Sequence, residues 1–87
     1  MYELKYTERF KKSLKRLSKQ ECKAVIKKLE LLRQDPFYPS LRTKKVQGLA
    51  NVFEMSVNMD IRIIWRYENG VILLLLDIRH HNEIFGV

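Results

Sequence analysis

The feature that most constrains the fold is a run of six consecutive apolar residues, VILLLL, at positions 71–76. The run is too short for a membrane-spanning helix, which needs about 20 apolar residues. Asn69-Gly70 stands immediately before it, and this pair favours a tight turn between two antiparallel strands. The length of the run and the preceding turn favour a strand over a helix. We therefore predict a central β-strand that is covered on both faces.

Two other segments of the second half alternate between apolar and polar residues, as half-buried strands do. In residues 52–58 the two faces consist of Phe53, Met55 and Val57 and of Glu54, Ser56 and Asn58. In residues 60–67 they consist of Ile61, Ile63, Trp65 and Tyr67 and of Arg62, Ile64 and Arg66. Residues 2–6 alternate in the same way, which predicts a short N-terminal strand.

Two stretches between these segments have the spacing of amphipathic helices. Thr7 is the predicted N-cap of the first helix. Ser18 is the predicted N-cap of the second, and Glu21 completes a capping box. Because Pro36 disfavours helical geometry in the residue before it, the second helix should end near Asp35. The residues expected to face the core are Phe10, Leu14, Leu17, Cys22, Val25, Ile26, Leu29 and Leu32.

The order of these elements predicts an α+β fold in which an N-terminal strand and a two-helix hairpin accompany a small, mainly antiparallel sheet. The hairpin should pack on one face of the sheet and leave the other face partly open. With 87 residues and no linker or repeat, residues 1–87 are expected to form a single domain. The N-terminus lacks the apolar segment of a signal peptide, and Cys22 has no second cysteine to pair with. We therefore expect a cytoplasmic protein without a membrane partner.

Positive charge is concentrated in the first half of the chain. Residues 1–45 carry fourteen Lys and Arg against five Asp and Glu, whereas residues 46–87 carry three against five. Lys and Arg beside phosphates release condensed counterions, so this excess favours a nucleic-acid partner. The alternative is that the helical lysines only keep a small protein soluble.

The predicted open face gathers groups that could cleave RNA. The pleat sends Glu54 to this face, Arg62 can share it, and Arg79, His80 and His81 follow the third strand. Cleavage needs a base, a cation that stabilises charge on the phosphate, and an acid for the leaving oxygen. RNA supplies its own nucleophile in the 2′-hydroxyl, so we predict neither a metal nor a cofactor.

The same residues have simpler explanations. Glu54 and Arg62 could form an ion pair between strands, worth about 0.2–1 kcal/mol. His80 and His81 could be surface residues at the end of a strand. Adjacent side chains of an extended strand point to opposite faces, so the two histidines are not expected to act together.

The aromatic residues leave similar alternatives. Trp65 shares a face with Ile61 and Ile63, so we expect it in the core rather than as a platform for stacking bases. Phe37 and Tyr38 lie on a proline-containing loop beside basic residues. They could stack on RNA, or they could close the edge of the core.

In its motifs and their order the whole chain resembles the RelE/ParE superfamily of small bacterial and archaeal toxins. The segments that carry the resemblance are YELKYTERFKKSLKRL, KVQGLANVFEMSVNMDIRIIW and RHHNEIF. In such toxins a glycine after a basic segment leads into a Tyr/Trp-Glu-x-x-Val strand, matched by residues 52–57. An Arg-Ile-x-Tyr/Trp strand follows, matched by residues 62–65. A closing His or Arg precedes a Tyr or Phe, as His81 precedes Phe85.

The resemblance implies the toxin of a type II toxin–antitoxin system, which cleaves mRNA in the ribosomal A site and is blocked by an antitoxin peptide in a hetero-oligomer. Arg62 would then stabilise the transition-state phosphate, His81 would act as acid or base, and Phe85 would stack on a base. Glu54 is the candidate general base, and His80 is a helper on the flank. The basic residues implied to bind ribosomal or messenger RNA are Lys12, Lys15, Lys19, Lys23, Arg42, Lys44 and Lys45.

Two other functions occur on the same fold. One is a gyrase poison without nuclease activity, and the other is a non-toxic relative that only binds its antitoxin. Likeness of fold does not separate these functions from the nuclease.

Overall fold

The computed structural model describes residues 1–80, in which one five-stranded sheet carries two helices. The strands are β1 (Glu3–Tyr6), β2 (Lys44–Lys45), β3 (Val52–Ser56), β4 (Ile61–Glu68) and β5 (Ile72–His80). The helices are α1 (Glu8–Lys15) and α2 (Lys19–Gln34), and a turn of 3-10 helix, Pro39–Leu41, precedes β2. The strand order is β1-β5-β4-β3-β2, with β1 parallel to β5 and all other neighbours antiparallel. The predicted α+β fold is confirmed.

The predicted helix caps are present. The Thr7 hydroxyl accepts the Phe10 amide at 3.1 Å and lies 2.8 Å from the Leu75 carbonyl, to which it donates. This side chain therefore starts α1 and ties it to β5. Ser18 and Glu21 form the reciprocal capping box of α2, with bonds of 2.8 and 3.1 Å. Within residues 1–80, neither helix has the length and apolar character that a membrane crossing requires.

The core lies between the two helices and one face of the sheet. Its buried helical residues are Phe10, Val25, Leu29 and Leu32, and its buried sheet residues include Met55, Ile61, Ile63, Trp65, Leu73 and Leu75. The predicted inward position of Ile26 is wrong, because its side chain is 62% exposed. Val25, Leu29 and Leu32 already form the stripe that meets the sheet, and Ile26 is turned about 100° from Val25. Cys22 lies at the margin of this stripe and is half-buried.

The predicted central strand is β5, which lies between β1 and β4. The turn before it has the positive φ angles of a tight hairpin, 57° at Asn69 and 76° at Gly70. Leu73 and Leu75 are fully buried under the helices, whereas Leu74 on the other face is half-buried. The helices therefore cover one face of β5 completely at Leu73 and Leu75, and the opposite face is only partly covered.

An extra residue in β5 reverses the direction of the side chains that follow it. Trp65 pairs with Leu75 but its neighbour Ile64 pairs with Asp77, which leaves Leu76 as a bulge. Before the bulge the odd-numbered side chains of β5 face the helices. After it Asp77 and Arg79 face the open side, because a shift of one residue moves every later side chain to the other face.

We predict that deletion of Leu76 destabilises the protein far more than Leu76→Ala. The deletion removes the bulge and turns Asp77 and Arg79 towards the apolar core, where an uncompensated buried charge costs about 3–5 kcal/mol. Leu76→Ala keeps the residue count and removes only a half-buried side chain. Urea unfolding of the two variants measures the difference. Equal stabilities would show that the bulge does not set the register.

Candidate functional site

The open face of the sheet brings together charged side chains from its three longest strands. Arg62 of β4 pairs directly with Arg79 of β5 across the ladder. Ile64, the next residue of β4 on this face, is flanked by Glu54 of β3 and Asp77 of β5. Two carboxylates and two guanidinium groups therefore surround one apolar residue.

Glu54 and Arg62 form the ion pair that the sequence suggested. Glu54 is 92% buried, and its Oε1 atom lies 3.9 Å from Arg62 Nε and 3.6 Å from Lys44 Nζ. Nη1 of Arg62 also donates to the backbone carbonyls of Asn58 at 2.6 Å and Ile61 at 3.2 Å. Because these contacts fix the guanidinium at both ends, Arg62 is a cation held in one place on the open face.

Asp77 is the second buried carboxylate, and it accepts four hydrogen bonds. Its Oδ1 atom accepts from the Ser13 hydroxyl at 2.7 Å and from the Ile78 amide at 2.8 Å. Its Oδ2 atom accepts from Nε of Arg9 and from Nε of Arg79, each at 3.0 Å. Burial acts to raise the pKa of Asp77, but the bonds from Ser13, Arg79 and the Ile78 amide and the charge of Arg9 outweigh it and lower the pKa below 3.8. Asp77 therefore stays ionised at neutral pH.

The two carboxylates explain how two arginines can stand opposite each other. Like charges at directly opposed positions of an antiparallel pair destabilise it. Here Arg62 is paired with Glu54, and Arg79 is paired with Asp77. The resulting pair of cations can stabilise charge that develops on a phosphate, and Glu54 can accept a proton.

Of the predicted site residues His80, His81 and Phe85, the structure describes His80 alone. His80 pairs with Ile61 on the helix-covered face, and its Nε2 atom lies 3.5 Å from Glu21 of α2. The structure therefore does not bring His80 to the face that carries Glu54 and Arg62. His81 and Phe85 lie outside the described residues.

Trp65 is fully buried, as predicted. The ring of Phe37 meets Phe53 edge-on at 5.6 Å and Trp65 at 6.5 Å, so one side of Phe37 packs against the edge of the core while 52% of the residue stays exposed. The neighbouring Tyr38 is exposed.

The basic residues predicted to bind RNA are all exposed, namely Lys12, Lys15, Lys19, Lys23, Arg42, Lys44 and Lys45. They come from several elements, since Lys12 lies on α1 and Lys19 on α2, whereas Lys44 lies on β2 and contacts Glu54. In the part of the chain that the structure describes, no group of three His, Cys, Asp or Glu side chains is placed to hold a metal ion.

Sequence reasoning missed Arg9 and Asp77 as members of the site. Arg9 looks like one more exposed helical cation, and only the fold brings it to β5. Asp77 did leave a signal, since it is the charged residue that directly follows the most apolar run of the chain. A charge in a buried strand is expected to be paired.

Solved structures of toxins share this fold. A metal-bound toxin from Helicobacter pylori matches with a TM-score of 0.79 and 23% identity, over 98% of this chain and 100% of that chain. YafQ from E. coli strain BL21(DE3) matches with a TM-score of 0.78 and 16% identity, over 99% and 100%. An archaeal RelE–RelB complex from Pyrococcus horikoshii matches with a TM-score of 0.76 and 17% identity, over 91% and 93%. No family model and no curated protein matches the sequence.

We predict that Asp77→Asn destabilises the protein by about 1–3 kcal/mol at neutral pH, because the new amide nitrogen would be a buried donor that faces the donors of Arg9 and Arg79. Asp77 has a pKa below its ordinary 3.8, so its stabilisation is complete above about pH 3.8 and is lost as the pH falls through the folded-state pKa. The difference between wild type and variant should therefore shrink in acid.

Chemical denaturation at neutral pH and at about pH 3 measures this difference. Asp60→Asn is the matched control, since Asp60 is exposed and its substitution should change stability by less than about 0.5 kcal/mol. A difference for Asp77→Asn that persists unchanged in acid would contradict the assigned role of the charge.

Proposed function

From the RelE/ParE-like toxin fold and the paired cations on its open face, we propose that this protein is the toxin of a type II toxin–antitoxin system. In the cytoplasm it would cleave mRNA on the ribosome and so inhibit translation. One observation carries the proposal: Arg62 and Arg79 stand opposite each other, each beside a buried carboxylate. Guanidinium groups form charge-assisted hydrogen bonds to phosphate oxygens, which suits them to a phosphodiester in the transition state.

The chemistry uses the 2′-hydroxyl of the RNA as nucleophile. The 2′ oxygen forms a bond to phosphorus and the bond to the 5′ oxygen breaks, which leaves a 2′,3′-cyclic phosphate and a free 5′-hydroxyl. Glu54 takes the proton from the 2′-hydroxyl, and Arg62 stabilises the charge on the phosphate. Resemblance to RelE/ParE toxins assigns His81 as the acid that protonates the leaving oxygen and Phe85 as the stacking residue. His80, which contacts Glu21 on the helix side, is given no chemical step.

Charge and fold support the proposed partners. Lys44, Lys45 and the exposed helical lysines would hold phosphates of messenger and ribosomal RNA. A cognate antitoxin would bind and inhibit the protein. The support for this partner is that the similar archaeal RelE was solved as a complex with RelB.

We predict that brief induction of the protein in cells halts translation and produces new mRNA 5′ ends within codons. Primer extension on a reporter transcript measures these ends. Arg62→Ala should reduce cleavage about 10²–10³-fold, as expected when a group that stabilises the transition state is removed. Cells should tolerate the Arg62→Ala variant. They should also tolerate Glu54→Gln and His81→Ala, because each removes a group that transfers a proton in the proposed reaction.

Arg66→Ala is the matched control. Arg66 lies on the same strand and the same face as Arg62 but is exposed and pairs with Val52 and Leu74. This variant should keep its toxicity. Full toxicity of Arg62→Ala would contradict the assigned site. For the unaltered protein, DNA damage with intact mRNA would identify a gyrase poison. Harmless induction of the unaltered protein would identify a non-toxic relative.

A further inference from the structure

A basic hollow lies between α1 and the end of β5, beside the proposed site. We call it the α1 hollow. Its volume is about 710 Å³, and its charged lining residues are Arg9, Lys12, Arg16, Asp77 and Arg79. Neither Glu54 nor Arg62 lines it. Four permanent positive charges face one negative charge, so the hollow has a net charge of +3 and suits an anion.

Asp77 orders two of the cations in this hollow. Nε of Arg9 and Nε of Arg79 each lie 3.0 Å from the same carboxylate oxygen, so these two atoms are no more than about 6 Å apart. Among residues 1–80, Asp77 is the only hydrogen-bond acceptor of either side chain. Each guanidinium therefore uses its Nε donor on Asp77 and keeps its Nη donors for a ligand.

The hydrogen-bonding positions of Asp77 are filled by groups of the protein itself. All four of its acceptor positions are occupied, by Ser13, Ile78, Arg9 and Arg79, and it is 94% buried. This buried carboxylate therefore holds the two guanidinium groups in fixed positions. Arg9, by contrast, is largely exposed, so the paired donors are accessible from outside.

The hollow adjoins the open face. Arg9, Asp77 and Arg79 also line a second hollow, of about 320 Å³, whose other walls include Glu54, Ile64 and Leu76. These three residues thus form a wall shared by both hollows. A nucleic-acid strand that passes Arg62 and Arg79 on the open face can continue over this wall to Arg9 and Arg16.

We propose that the α1 hollow binds a phosphate group of the RNA strand next to the phosphate that is cleaved. Arg9 and Arg79 hold this phosphate through their Nη donors, and Lys12 and Arg16 supply further positive charge. Arg79 also stands opposite Arg62, so it lies between this phosphate and the one that is cleaved. Asp77 acts as a positioning residue for both arginines. The identity of the polyanion rests on the proposed function, whereas the anion site rests on the geometry of Asp77 and its partners.

The test measures binding without cleavage. The probe is a short, fluorescently labelled RNA with 2′-O-methyl groups, which keeps the phosphates but lacks the attacking hydroxyl. Fluorescence anisotropy gives its affinity between about 50 and 200 mM salt, where each lost phosphate contact on a single strand lowers the slope of log affinity against log salt by about 0.7. Arg9→Gln and Arg16→Gln should each weaken binding several-fold and reduce the slope by this amount.

Two variants control for charge and for folding. Arg33→Gln removes the same charge at the far end of α2, where Arg33 pairs with Glu30, and should leave the slope unchanged. Arg9→Lys keeps the charge and should retain most of the slope. Thermal unfolding of each variant confirms that it is folded. In NMR spectra the Nε–Hε signals of Arg9 and Arg79 should shift on addition of the probe, while that of Arg33 should not.

The proposal is overturned if Arg9→Gln gives the same slope as Arg33→Gln, or if the unaltered protein does not bind the probe. These outcomes are distinct from failure of the proposed function. If Arg62→Ala abolishes mRNA cleavage while Arg9→Gln leaves the slope unchanged, the nuclease function is supported and the anion site in the α1 hollow is contradicted. If the hollow binds the probe but induction leaves mRNA intact, the anion site is supported and the nuclease function is contradicted.

Discussion

The bulge at Leu76 is the feature on which the open-face site depends. Without an extra residue at that point, the alternation that buries Leu73 and Leu75 would also send Asp77 and Arg79 under the helices. With it, one strand supplies an apolar half to the core and a charged half to the opposite face. The same shift places Arg79 across from Arg62, so the geometry of the cation pair is a consequence of strand register.

That geometry would be unfavourable without the two buried carboxylates. Opposed guanidinium groups repel each other, and burying a carboxylate alone is costly. In this sheet the attraction between carboxylates and guanidinium groups offsets both costs. Glu54 contacts Arg62, and Asp77 contacts Arg79 and Arg9. The arrangement fixes the arginines before any ligand arrives, so less side-chain entropy is lost on binding. It also means that the carboxylates have a structural role whatever chemistry Glu54 performs.

The parts of the fold that were predictable from sequence are those set by neighbouring residues. The capping box of Ser18 and Glu21, the Asn69-Gly70 turn and the alternation of β3 and β4 each follow from local chemistry. The bulge was not predictable, because it depends on how β5 pairs with β4 rather than on any residue of VILLLL. The bulge also decides which of the neighbours Arg79 and His80 reaches the open face, because adjacent side chains point to opposite faces and this register gives the open face to Arg79. Arg9 was missed because its partner lies 68 positions away.

The uneven charge of the chain acquires a structural meaning from these contacts. Counted by halves, the second half of the sequence is slightly acidic, yet it supplies Arg62 and Arg79 in fixed positions because its carboxylates hold them. The basic first half supplies exposed cations, and Arg9 connects the two groups through Asp77. Exposed lysines attract a polyanion from any direction and are screened by salt. Positioned arginines instead select a geometry. Under the proposed function the exposed lysines would attract RNA and the positioned arginines would align one phosphate, and Asp77 contacts one arginine from each half of the chain, Arg9 and Arg79.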